Sequence, residues 1–110
     1  MSRWPRGVVT RVRALAASGK VRFTHKALCE LAELDLGLDE EDARRVLAGL
    51  TTRDAVERVV AERTGEWLHV FKPRVAGTLV YVKLVLRTNC AVVSFHREVS
   101  DDEEDGEDQA

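Results

Sequence analysis

Two cysteines, Cys29 and Cys90, are all the chain contains. They are too few for a disulfide framework. With no CxxC pair and no neighbouring His/Cys cluster, they do not form a zinc-ligand pattern either. A reducing cytosol is the plain setting for such a chain. Long apolar runs are also missing. The opening MSRWPRGVVTRVRALAASGK holds no stretch long enough for a signal peptide, and nothing later reaches membrane-spanning length. The expectation is a soluble cytoplasmic protein with no membrane partner. Aromatic residues are scarce, at two Trp, one Tyr and three Phe, so Trp67 is expected to fill the core rather than to stack on bases. No internal repeat is visible. Ser94 has no identifiable base beside it, which argues against a hydrolase triad.

What is present is charge, unevenly distributed. The formal net charge is −2, but seven of the 19 acidic residues lie in the last ten positions, leaving 17 basic against 12 acidic side chains in residues 1–100. A chain of 110 residues suits one domain. Residues 1–98 are expected to form that domain and 99–110 a disordered, solvated acidic tail. A mildly basic body raises encounter with polyanions, nucleic acid among them.

Helix signals come first along the chain. Thr10 can cap a short helix with Val12, Leu15 and Ala16 on one face and Gly19 at its end, which leaves Trp4 in an N-terminal arm. KVRF (20–23) is a brief extended piece. Thr24 can cap HKALCELAEL, whose Ala27, Leu28, Leu31, Ala32 and Leu34 form an apolar face. Asp39 opens a third helix with Glu40, Glu41 and Asp42 in the first turn, where the helix dipole favours negative charge, and Gly49 closes it. His25 and Cys29 sit one helical turn apart, but two residues do not make a metal site. Residues 54–62 fit a helix or a strand. The strand is favoured by the three strand-like segments after it, WLHVF (67–71), TLVYVKLVL (78–86) and CAVVSFHR (90–97), separated by KPRVAG and Thr88-Asn89. Helices followed by an antiparallel sheet predict an α+β layer fold.

The last two strands pose a register question. A two-residue loop at Thr88-Asn89 would set Arg87 opposite Cys90, Val85 opposite Val92, Lys83 opposite Ser94 and Tyr81 opposite His96. Tyr81, Lys83, Ser94 and His96 would then share one face. Val80, Val82, Leu84 and Leu86 would pack with Ala91, Val93 and Phe95 on the other. A three-residue loop would shift the register and dissolve the cluster. The simplest use of such alternation is an ordinary solvated outer face.

The order of VRALAASGKVRFTHKAL (12–28), LDLGLDEEDARRVLAGL (34–50), WLHVFKPR (67–74), VYVKLVL (80–86) and VVSFHRE (92–98) resembles the MqsR toxins, mRNA endoribonucleases with a RelE-like fold. The resemblance implies a curved antiparallel sheet with the N-terminal helices on one face. It also implies a toxin of a type II toxin-antitoxin system, metal-independent cleavage of mRNA without an organic cofactor, and a cognate antitoxin protein, often carrying zinc and a helix-turn-helix domain.

RNA cleavage of that kind needs a base for the 2′-hydroxyl, an acid for the leaving 5′-oxygen and cations for the phosphate. Tyr81 matches the family's Tyr, but His96 stands where the family has Lys after Ser-Phe. Val56-Glu57 replaces Tyr-Lys after the third helix, and Leu68 replaces Gln after the Trp. Glu, Arg and His are the trio of other RelE-like relatives and of the barnase group. By that analogy Glu57 is the base, His96 the acid, Lys83 and Arg58 phosphate contacts, and Tyr81 an orienting group. His69, Lys72, Arg74 and Arg97 are candidate RNA contacts. The alternative is a catalytically lapsed member that binds RNA or a protein partner.

Overall fold

A computed structural model describes residues 4–98. Three helices, α1 (Trp4–Ala17), α2 (His25–Glu33) and α3 (Glu40–Ala48), accompany six strands. These are β1 (Val21–Phe23), β2 (Ala55–Val60), β3 (Trp67–Phe71), β4 (Arg74–Val75), β5 (Thr78–Leu86) and β6 (Cys90–Arg97). The sheet runs β1-β6-β5-β3-β2, with β4 paired to β5. All pairings are antiparallel except β1 with β6, which is parallel. The fold is α+β, and the extended piece KVRF turns out to be an edge strand.

The helix ends follow from local chemistry. Thr24 accepts a hydrogen bond from the Ala27 amide, and Asp39 and Asp42 form a reciprocal capping box. At the end of α1 the Lys20 amide bonds the Leu15 carbonyl and the Gly19 amide bonds the Ala16 carbonyl. Gly19 adopts φ 75°, the left-handed turn that a side chain disfavours. Thr10 caps nothing: α1 begins six residues earlier, and the Thr10 hydroxyl donates to the Arg6 carbonyl within the helix. Trp4 therefore belongs to α1 rather than to an arm.

One core holds the layers together. Val9, Val12 and Ala16 of α1, Ala27 and Leu31 of α2, and Ala43 and Leu47 of α3 pack with Phe71, Val80, Val82, Leu84, Cys90, Val92 and Phe95 from one face of the sheet. Burying each Leu, Val or Phe in this set contributes roughly 1.5–3 kcal/mol. Burial also pushes the Cys90 thiol up to about 12, so it packs as a neutral apolar group.

The β5–β6 hairpin corrects the sequence reading in an instructive way. Leu86 pairs with Cys90 and Leu84 with Val92, so the loop has three residues, Arg87-Thr88-Asn89. Val85 accordingly faces Ala91, not Val92. Yet Lys83 pairs with Ser94 and Tyr81 with His96, because the register shifts by one between Lys83 and Leu84. The extra residue is Val93, a β-bulge that reverses the displacement made by the loop. Before the bulge the core face of β6 carries Cys90 and Val92; after it, Phe95. Ala91 and Val93, expected in the core, are not part of it.

Helix α2 lies along β6 beyond the short β1. The Phe95 amide donates to Glu30 Oε1 at 2.9 Å, and the Arg97 guanidinium reaches the Leu34 carbonyl at 3.4 Å. The otherwise unpaired edge of β6 is thereby covered. At the far edge, Trp67 pairs with Val60 beside the loop of the β2–β3 hairpin and is 45% exposed, so it does not fill the core. Arg58 lies over its ring at 4.3 Å instead.

Candidate active site

Cross-strand partners share a face, so register alone assembles the open side of the sheet. One row runs Glu57, Val70, Lys83, Ser94 across β2, β3, β5 and β6, and the next sets Tyr81 beside His96. Neither Val70 nor Val85, which also lies on this side, belongs to the helix-packed core.

The Tyr81 and His96 rings stack with centroids 4.9 Å apart and an interplanar angle of 15°. His96 Nδ1 lies 2.8 Å from the Arg97 carbonyl oxygen. A carbonyl can only accept, so Nδ1 carries the proton and Nε2 is left to exchange one with a ligand. Burial raises the Tyr81 hydroxyl above the ordinary tyrosine range. The Glu57 carboxylate adds to the rise and Lys72 opposes it. Tyr81 is thus a neutral hydrogen-bond donor at physiological pH and not a base.

Several cations stand on or beside this face, among them Arg22 of β1, which pairs with Ala91, and three lysines. Lys83 has no ion-pair partner among the described residues. Lys72 binds Glu98 Oε2 at 2.8 Å, a hydrogen bond that holds its ammonium above the usual lysine value. Lys26 reaches over from α2, with Nζ 2.9 Å from Ser94 Oγ and 2.7 Å from Glu30 Oε2. Burial pushes the Glu30 carboxyl upward, but hydrogen bonds from Lys26 and the Phe95 amide outweigh it and leave the group below the ordinary carboxylate range. Glu30 is a fixed anion, not a proton donor.

The structure therefore brings together Glu57, Lys72, Tyr81, Lys83 and His96 of the sequence-predicted set. Arg58 and His69 lie on the opposite, helix-packed side, since they pair with each other and His69 pairs with the core residue Leu84. There the Trp4 ring of α1 stacks on His69 at 5.4 Å and lies under the Arg58 guanidinium at 5.8 Å. Burial, assisted by the Arg58 charge, lowers the His69 pKa below the ordinary histidine value. Arg97 also turns toward the helices, to Leu34. Arg74 sits in the β4–β5 hairpin and donates to the Gly77 carbonyl at 3.4 Å.

Lys26, Glu30 and Glu98 escaped sequence reasoning. The Lys26/Glu30 spacing of four was legible as a helical ion pair, but nothing in the spacing told that it would overhang Ser94.

Comparison with known proteins agrees with this architecture. Residues 5–97 match the family model described as motility quorum-sensing regulator, toxin of MqsA. The chain is 31% identical over 94 residues to the mRNA interferase toxin MqsR of Escherichia coli (strain K12), a match covering 84% of this chain and 94% of that protein. With a helix-packed α+β sheet, an open face bearing the Tyr81–His96 stack, and a family match spanning nearly all of the described residues, the chain belongs to the MqsR toxin family.

Proposed function

We propose that the protein is an mRNA-cleaving toxin, an endoribonuclease working by general acid/base catalysis on the open face of the sheet. The observation that carries the proposal is the Tyr81–His96 stack, with Nδ1 of His96 committed to a carbonyl and Nε2 left for a ligand. Glu57 takes the proton of a ribose 2′-hydroxyl, whose oxygen attacks the adjacent phosphorus. The bond to the 5′-oxygen breaks, protonated His96 delivers the proton to that oxygen, and a 2′,3′-cyclic phosphate remains. Tyr81 donates to a non-bridging oxygen and Lys83 balances the charge that develops there. Glu57 stands three strand spacings from Ser94, and His96 lies two residues further along β6, so the Glu57 and His96 backbones are roughly 16 Å apart.

These side chains supply base, acid and cations, so the scheme routes no step through a metal. The partner class follows from the family description, toxin of MqsA: a cognate antitoxin protein that masks the toxin, in the family pattern one with zinc and a helix-turn-helix domain.

The test is cleavage of a long unstructured RNA by purified protein in excess chelator, with product 5′ ends mapped. Site-selective cuts that fall by about 10²–10⁴ in rate in His96→Gln are expected. Clean protein that binds RNA but cuts nothing would mark a binding module instead and overturn the catalytic scheme.

A further inference from the structure

We infer that Lys26 is a binding point for a backbone phosphate of RNA next to the one that reacts, with Glu30 and Ser94 as its positioning residues. The inference rests on the proposed RNA-cleaving face but concerns a helix that the scheme does not use.

Its basis is the way one lysine is held. A helical Lys/Glu pair four apart needs nothing else to form, and most such pairs are ordinary surface. Here the ammonium is also tied across 68 positions of sequence to Ser94 Oγ at 2.9 Å. Ser94 is 3% exposed and stands opposite Lys83 on the open face, one alternate position before His96. Glu30 is anchored in turn, because its other oxygen accepts the Phe95 amide at 2.9 Å. The lysine is thus pinned from both sides, yet its side chain remains 60% exposed. An ammonium has three N–H donors, and Glu30 and Ser94 occupy two of them. The third is left for solvent or a ligand oxygen.

Lys72 suits this role less well, because its side chain is only 30% exposed and is closed onto Glu98. Position decides which phosphate Lys26 meets. Helix α2 flanks β6 on the side away from β5, so Lys26 and Glu57 lie on opposite sides of the Tyr81–His96 pair. A strand of RNA whose reacting phosphate sits between Glu57 and His96 would bring a neighbouring phosphate to α2. Lys26 then contributes affinity and register, not chemistry.

The experiment measures binding of a fluorescent single-stranded RNA to the full chain across a salt series, in a His96→Gln background so that nothing is cut. Lys26→Gln is compared with Lys20→Gln, an exposed lysine beside the start of β6, and with Lys26→Arg. Loss of one phosphate contact to a single strand lowers the slope of log affinity against log salt by about 0.7. That drop is expected in Lys26→Gln, with the slope kept in Lys20→Gln and restored in Lys26→Arg. Equal changes in the two Gln variants, or an unchanged slope in Lys26→Gln, would overturn the site. In cleavage assays with His96 intact, Lys26→Gln should raise KM while leaving kcat in place. Protein that cuts RNA with an unchanged KM in Lys26→Gln removes the phosphate site alone. Protein that cuts nothing, yet binds RNA with a Lys26-dependent slope, removes the cleavage scheme alone.

Discussion

The two faces of the sheet use the same strands for different ends. On the helix side almost every inward position is apolar and closely packed, with Arg58 and His69 gathered under Trp4 and Arg97 reaching the Leu34 carbonyl at the end of α2. On the open side, buried Val70 and Val85 form the floor, and the charged and ring-bearing groups stand around them. Consecutive residues make the contrast sharpest. Phe95 is fully buried against the helices, whereas His96 stacks on Tyr81 on the other side. A strand delivers alternate side chains to opposite environments, so stability and chemistry are separable here at single-residue resolution.

Substitution of that neighbouring pair should break the link between stability and activity in opposite directions. Phe95→Ala leaves a cavity between the sheet and the helices and should cost about 3–5 kcal/mol, read as a shift of the urea midpoint. His96→Gln should leave that midpoint close to wild type while removing RNA cleavage. Loss of stability in both would show that the open face also carries folding energy.

A smaller effect separates the two faces by pH. His69 is buried with its pKa lowered, first by burial and then by Arg58, and Nδ1 has no partner among the described residues. In the unfolded chain the same imidazole binds a proton near its ordinary value of about 6.5. Its contribution to stability is therefore complete above that pH. It is lost progressively as pH falls through the lowered folded value, at up to about 1.4 kcal/mol per unit. His69→Phe should flatten this part of the stability profile, leaving the fall below about 4.5 that belongs to carboxylates such as Glu30. An unchanged profile in the variant would mean that His69 is not the group responsible.

The smallest effect belongs to α2, the helix among the described residues that reaches the open face through Lys26. Thr24→Ala removes the cap on the Ala27 amide and should cost about 1 kcal/mol. Because α2 carries Lys26, amide exchange in its first turn should rise more than in α3, which keeps its own cap. Equal protection in the two helices would contradict this.

Much of the molecule could be read before any coordinates. Three of the strands have the expected bounds, and the Thr24 and Asp39 caps stand where short polar side chains precede apolar helical faces. These are local properties: hydrogen bonds and alternation act over two to four residues and leave their mark in the chain. The start of α1 was not legible, because Thr10 looks like a cap but serves as an interior residue once Trp4 packs on His69 and Phe71. Tertiary packing outweighs one capping preference.

The open face was legible only by half. Alternation in β5 and β6 marked Tyr81, Lys83, Ser94 and His96 as candidates for one side. Whether they meet depends on the Val93 bulge, which offsets the three-residue loop and has no sequence signature of its own. Arg58 follows Glu57 in sequence and yet serves the other face, a consequence of period two as soon as β2 is a strand. Lys26 reaches the site from a helix 68 positions before Ser94. Residue types and local periods are written in the chain; which distant groups share a face is settled by register and helix docking, since those depend on contacts between segments that no local window contains.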